Sequence, residues 1–163
     1  MRWFAFAALL FAAGCDSGGF ATTSGFIGET AFNEPLTVFH GGPFLVFFDT
    51  EIDCLDMAWV EKAYNDAQSP TDMNVTGVQF AWEDEPTIGT FSVAGDAAVG
   101  AFGLINQGGV FELYRGQEGT VTITEEGPAR DDPLIGTFAV TFTDGSQLSG
   151  EFETEWCRNL RAG

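Results

Sequence analysis

Along most of the chain, apolar and polar residues alternate with a period of two. Val78, Phe80 and Trp82 alternate in VQFAW, Phe91 and Val93 in GTFSV, and Val121 and Ile123 in TVTIT. Phe138, Val140 and Phe142 continue the pattern, as do Leu148, Phe152 and Trp156 in the last run. Successive side chains of a strand point to opposite faces, so this pattern predicts half-buried β-strands. Further strands are expected over residues 99–104 and 110–114, and two short ones over 26–32 and 36–40, with Pro35 kept out of a strand interior. Asp144-Gly145 is a hairpin signal between the last two runs. Glu151, Glu153 and Glu155 occupy the far face of the final run, which predicts a solvated face and an antiparallel, one-sided sheet.

Two stretches depart from simple alternation. In Phe44–Asp49, FLVFFD, both faces are apolar: Phe44, Val46 and Phe48 point one way, Leu45 and Phe47 the other. Such a strand must be covered twice, by the core on one side and by the next segment on the other. That segment carries the one helix expected, near residues 54–67. Asp53 is its N-cap and Asp56 stands three residues on. Leu55, Trp59, Ala63 and Ala67 form an apolar stripe widened by Val60 and Tyr64, and Ser69-Pro70 ends it. An internal echo links Ile88-Gly89-Thr90-Phe91-Ser92-Val93 to Ile135-Gly136-Thr137-Phe138-Ala139-Val140, with Glu118-Gly119-Thr120-Val121 a weaker third copy. These copies are expected as equivalent hairpin starts in one meander. The total is nine or ten short strands, an all-β antiparallel sandwich or barrel with one short helix.

The first sixteen residues, MRWFAFAALLFAAGCD, follow different rules. Arg2 precedes an apolar run from Trp3 to Ala13, and small residues lead into Cys15. This is the layout of a secretory signal peptide, and an apolar run this short is well below the roughly 20 residues that span a bilayer. The expected division is a signal peptide over 1–14, a lipidated N-terminus and flexible tether over 15–24, and a single domain over 25–163. Of the three cysteines, Cys15, Cys54 and Cys157, lipidation of Cys15 leaves an even pair. In an exported protein Cys54 and Cys157 are then expected to form a disulfide. Ordinary cleavage after Gly14 is the alternative, and it would leave Cys15 as an odd thiol.

Charge narrows the partners. The chain has 24 acidic and six basic residues, a formal charge of −18; loss of Arg2 with the leader takes this to −19. Such a surface repels phosphate backbones, which excludes nucleic acid, and it disfavours electrostatic adhesion to anionic lipid. Acyl chains would have to make the membrane contact. With 45% apolar residues and 17 Phe, the chain is not intrinsically disordered.

Ala12-Ala13-Gly14-Cys15 resembles a bacterial lipobox, although Ala12 stands where Leu is commonest. With the small-residue tether and the disulfide-tied β domain, the plan resembles that of the many small uncharacterised exported lipoproteins of Gram-negative bacteria. The resemblance implies lipidation at Cys15 and anchoring in the cell envelope, on the periplasmic or the surface face. Asp16 matches the residue that favours inner-membrane retention in enteric bacteria. The resemblance implies no ligand.

Candidate chemistry is sparse. His40 is the only histidine, so no Ser-His-Asp or Cys-His arrangement can be built without it, and no second histidine can join a metal site. No catalytic residue and no cofactor is assigned. Asp49, Glu51, Asp53 and Asp56 cluster at a strand-to-helix turn and are the Ca²⁺ candidates, without the D-x-D-x-D-G spacing of a dedicated loop. Glu83-Asp84-Glu85 and Asp131-Asp132 read as solvated loops. The leading expectation is a non-enzymatic, membrane-anchored module for binding or structural interaction with a partner such as a protein. The second is a carrier of an apolar small ligand in a barrel cavity, and the third a carboxylate-dependent hydrolase.

Overall fold

Alternation dictates which residues become strands, and eleven strands form among the residues described by the computed structural model, which are 19–57, 74–93, 99–127, 129 and 131–160. They are β1 (Phe20–Ile27), β2 (Thr30–Ala31), β3 (Thr37–Gly41), β4 (Phe44–Phe48), β5 (Val75–Trp82), β6 (Gly89–Ser92), β7 (Val99–Gln107), β8 (Val110–Glu126), β9 (Leu134–Phe142), β10 (Gln147–Glu153) and β11 (Glu155–Trp156). The hydrogen-bonded order is β11-β3-β4-β5-β7-β8-β9-β10-β1-β2, with β6 added to β8. The architecture is all-β.

One strand and one single-residue junction carry the chain from one sheet to the other. In β8, residues Val110–Arg115 pair with β7, whereas Gly116–Glu126 pair with β9, with a register shift between Gly116 and Glu118. Such a bulge bends a strand and increases its twist. The second crossing lies at Thr154, which alone separates β10 from β11. β10 pairs with β9 and β1, and β11 pairs with β3. The hydrogen-bonded path therefore returns to its start through the covalent chain, as in a flattened barrel. One sheet holds β11, β3, β4, β5, β7 and the first half of β8. The other holds β6, the second half of β8, β9, β10 and β1.

Between the sheets lies a dense core that includes Leu45, Phe47, Val78 and Phe80 from the first and Val121, Phe138, Val140 and Phe152 from the second. The Phe47 ring lies 5.1 Å from that of Phe138 and 5.7 Å from that of Phe152, and Phe80 lies 5.1 Å from Phe138. Aromatic rings at these separations are in contact, so they fill the space that a carrier would leave hollow.

The first sheet also has a covered outer face. Phe39, Val46, Phe48, Val75 and Leu104 form a second cluster beneath Ile52, Met57, Cys157 and Leu160. The doubly apolar β4 serves both clusters: Leu45 and Phe47 face inward, Val46 and Phe48 outward, as the sequence pattern predicts. The Cys54–Cys157 disulfide, with Cα atoms 5.5 Å apart, pins the cover, and Asn159 Nδ2 donates to the Cys54 carbonyl at 3.0 Å.

Several expectations change. A 3-10 turn, Cys54–Asp56, stands where the helix was expected to begin, and the Asp53 carboxylate caps it by accepting from the Leu55 N–H at 3.0 Å. The remainder of that expectation, from residue 58, lies outside the described residues, among which there is no α-helix. β1 starts at Phe20, so the sheet reaches into the stretch expected as tether. The runs at 110–114 and 120–124 are one long strand, β8. The sheet is mixed, because β11 runs parallel to β3. The echo copies are not hairpin starts of one meander. Gly89–Ser92 and Gly136–Ala139 flank β8 on opposite edges in the same register: Phe91 and Phe138 both oppose Val121, and Gly89 and Gly136 both oppose Ile123. The third copy is β8 itself.

Candidate functional site

The outer face of the second sheet is open. Alternation sends Phe138 and Val140 into the core, which leaves Thr137, Ala139 and Thr141 outside; the same rule applies on each neighbouring strand. Cross-strand registry then lines these residues up. One row reads Thr90, Thr122, Thr137, Glu151, Thr22 across β6, β8, β9, β10 and β1. The next reads Ser92, Thr120, Ala139, Ser149, Ser24 in the same strand order. Within the first row the hydroxyls of Thr90 and Thr122 lie 3.0 Å apart.

Over the second row the face is concave, forming a groove of about 950 Å3. Its floor is Ala139, Ser149 and Ser24; Phe26, half exposed, and Glu118 stand at opposite margins. Two glycines shape it. Gly25 and Gly119 adopt φ of 140° and 142°, a region open to glycine but costly for other residues. A Cβ at either would strike the neighbouring strand's backbone, at the Gln147 and Ala139 carbonyls. Both flanking strands thus approach the β9–β10 hairpin more closely than a side chain would allow. At one end the turns are tied together: the Gly28 N–H donates to Ser146 Oγ at 3.1 Å, and Ser146 Oγ donates to Asp144 Oδ1 at 2.7 Å.

The groove is polar yet nearly uncharged. Among the described residues that line it, Glu118 is the only ionisable one, and none is Lys, Arg or His. The side chains of Ser24, Thr120, Thr141, Gln147 and Ser149 form no hydrogen bonds within the described residues, so their donors and acceptors remain for a ligand. The floor backbone is different. β9 is paired on both edges by β8 and β10, and β10 by β9 and β1, so its amides and carbonyls are taken.

A second groove, about 590 Å3, lies beyond the Gly28–Glu29 turn and is lined by Glu29, Glu112, Asp144 and Tyr114. Tyr114 donates to Glu112 Oε2 at 2.6 Å. That hydrogen bond, with burial and the nearby carboxylates, pushes its phenol up to about 12. The convergent acids are exposed and partly committed: Glu112 accepts from Tyr114, and Asp144 accepts from the Ser146 N–H and hydroxyl. The arrangement caps a turn and orients a tyrosine. Alternation alone could not reveal it, because Glu112 and Tyr114 lie two apart on β8 whereas Glu29 and Asp144 belong to remote turns.

Of the residues singled out from sequence, His40, Asp49 and Asp53 make hydrogen bonds within the fold. His40 is buried in β3; its Nδ1 lies 2.7 Å from Thr154 Oγ1 and its ring packs edge-on to Trp156. It supports the crossing from β10 to β11. Asp49 accepts from the Thr76 N–H at 2.8 Å and from the Thr50 hydroxyl at 3.1 Å. Asp53 caps the 3-10 turn, Glu51 is exposed, and the Asp56 side chain lies outside the description. Among the described residues no three His, Cys, Asp or Glu side chains are grouped to hold a metal ion. Of the four Ca²⁺ candidates, Asp49 and Asp53 serve different backbone amides. Cys15 lies outside the described residues. Among those described, no helix is long and apolar enough to cross a membrane. Compared with protein-family models, curated proteins and solved structures, the chain has no match.

Proposed function

We propose that this protein is an exported, lipid-anchored binding module of the bacterial cell envelope and that it binds through the open face of its second sheet. The observation that carries the reading is the asymmetry of the two outer faces. The first sheet's outer face is sealed by a disulfide-pinned layer. The second sheet's face keeps a groove of about 950 Å3 whose hydroxyl and amide side chains are uncommitted, with Phe26 standing 52% exposed at its margin. A large concavity with a few polar groups and an aromatic wall is the usual form of a recognition site. The filled interior weighs against the apolar-ligand carrier, and the committed, exposed acids weigh against the hydrolase.

Anchoring rests on the leader, the lipobox-like AAGC and the pairing of the other two cysteines. With lipid on Cys15, only residues 16–19 precede β1. At about 3.5 Å per residue the leash is at most roughly 17 Å long, so the domain would lie against the membrane. The test is amide chemical-shift mapping of the purified mature protein titrated with solubilised envelope extract. Shifts gathered on residues 20–26, 118–122 and 137–149 support the reading. Shifts gathered on the covered first sheet, or scattered over the domain, overturn it.

A further inference from the structure

Resting on that reading of the face, we infer that the groove takes a neutral oligosaccharide chain. Charge is the first argument. A chain of net charge −18 repels polyanions, and the described residues lining the groove include no Lys, Arg or His to meet a phosphate, sulfate or uronate. The same net charge opposes occupation by a second copy of this chain. A basic protein would be drawn to denser acid than the single Glu118, such as the neighbouring groove with Glu29, Glu112 and Asp144.

Backbone chemistry is the second argument. An extended peptide binds sheets by adding a strand to a free edge, and at the centre of this floor, over Ala139 and Ser149, β9 and β10 are paired on both edges; β1, at the margin, is paired on its outer edge by β2 at Phe26 and Ile27. A ligand on this floor must be held by side chains. Those available are the uncommitted Ser24, Thr120, Thr141, Gln147 and Ser149. Hydroxyls both donate and accept, as do those of a sugar, and an amide presents both in one plane. Phe26 supplies an apolar ring at the margin on which the C–H face of a pyranose can lie. Ala139 and Ser149, small and adjacent in the central row, leave room for a ring to settle on the floor.

The experiment titrates the purified mature protein with cellohexaose, maltohexaose, an oligogalacturonate and an extended Ser/Thr-rich peptide, read by amide chemical shifts and calorimetry. The proposal expects a neutral hexasaccharide to shift the amides of residues 24, 120, 139 and 149. Phe26→Ala should weaken binding about 3- to 10-fold, the range of one aromatic contact. Ala139→Arg, which fills the floor, should abolish binding while the melting temperature holds. Shifts there from the oligogalacturonate or the peptide alone overturn the ligand class. If envelope extract moves these amides and neither neutral hexasaccharide does, the class is wrong and the binding face stands; if neither extract nor sugar moves them, both fall.

Discussion

Removing the disulfide should lower stability heavily, and the structure sets the size. Cys54 and Cys157 are 103 residues apart in sequence, so the bond closes the chain from β5 through β11 into one loop. In the chain-entropy model a loop of about 100 residues contributes on the order of 4–5 kcal/mol by restricting the unfolded chain. In a domain of this size each kcal/mol moves the melting temperature by about 2–4 °C, so the expected fall is about 10–20 °C. The suitable variant is Cys54→Ser with Cys157→Ala. Cys157 is fully buried, and a serine there would add the separate cost of burying a hydroxyl. The cover's apolar contacts, Ile52, Met57 and Leu160 on Phe39, Val46 and Phe48, survive the substitution, so a folded protein should remain. Thermal unfolding followed by circular dichroism, on the variant and on the oxidised wild type, measures the difference. A fall of less than about 3 °C would refute the argument, because the bond would then constrain little that the packed cover does not already hold.

Phe138→Ala should cost about 3–5 kcal/mol by urea denaturation, because its ring meets both Phe47 and Phe80 and the hole cannot collapse; a cost below about 1 kcal/mol would mean the core is loosely packed. Tyr114 should ionise near pH 12 in ultraviolet titration of a Tyr64→Phe background, and Glu112→Gln should bring it down towards 10. Its folded pKa is raised, so its contribution to stability is complete below about pH 10 and is lost as pH rises from there through about 12; an unchanged titration in Glu112→Gln would reject the hydrogen bond as the cause. Cys15→Ser should move the protein from the membrane to the soluble fraction with its circular dichroism unaltered, and continued membrane association would reject the lipid anchor.

Strands were legible because alternation is a local signal. Even the double burial of β4 could be read from Phe44–Phe48, since both parities are apolar. The sheet order was not legible. β8 changes partners at a bulge next to Gly116, and β10 becomes β11 across Thr154, and alternation carries no signal for a change of pairing partner. The echo of Ile88–Val93 in Ile135–Val140 was visible, but its meaning needed registry: the two copies flank one strand. The groove was least legible of all. Its floor is Ala139, Ser149 and Ser24, residues that pattern reading treats as the polar half of a strand, and the close strand approach at its sides is made at Gly25 and Gly119, whose positive φ values have no sequence signature beyond glycine itself. The roles of Asp49, Asp53 and His40 likewise depend on contacts made in the fold: the two carboxylates accept from the Thr76 and Leu55 amides, and His40 meets Thr154 at the strand crossing.

The central claim is that one sheet face is sealed and the other is occupied in the native envelope. Cysteine labelling tests it most directly. Ser149→Cys places a thiol on the groove floor and Glu83→Cys places one on an exposed loop outside it. Reaction rates with a hydrophilic maleimide are then compared between native envelopes and the purified protein. The account predicts at least about tenfold slower labelling at position 149 in the envelope, an occupancy of about nine-tenths, and an unchanged rate at position 83. Equal rates at position 149 in the two settings would contradict it.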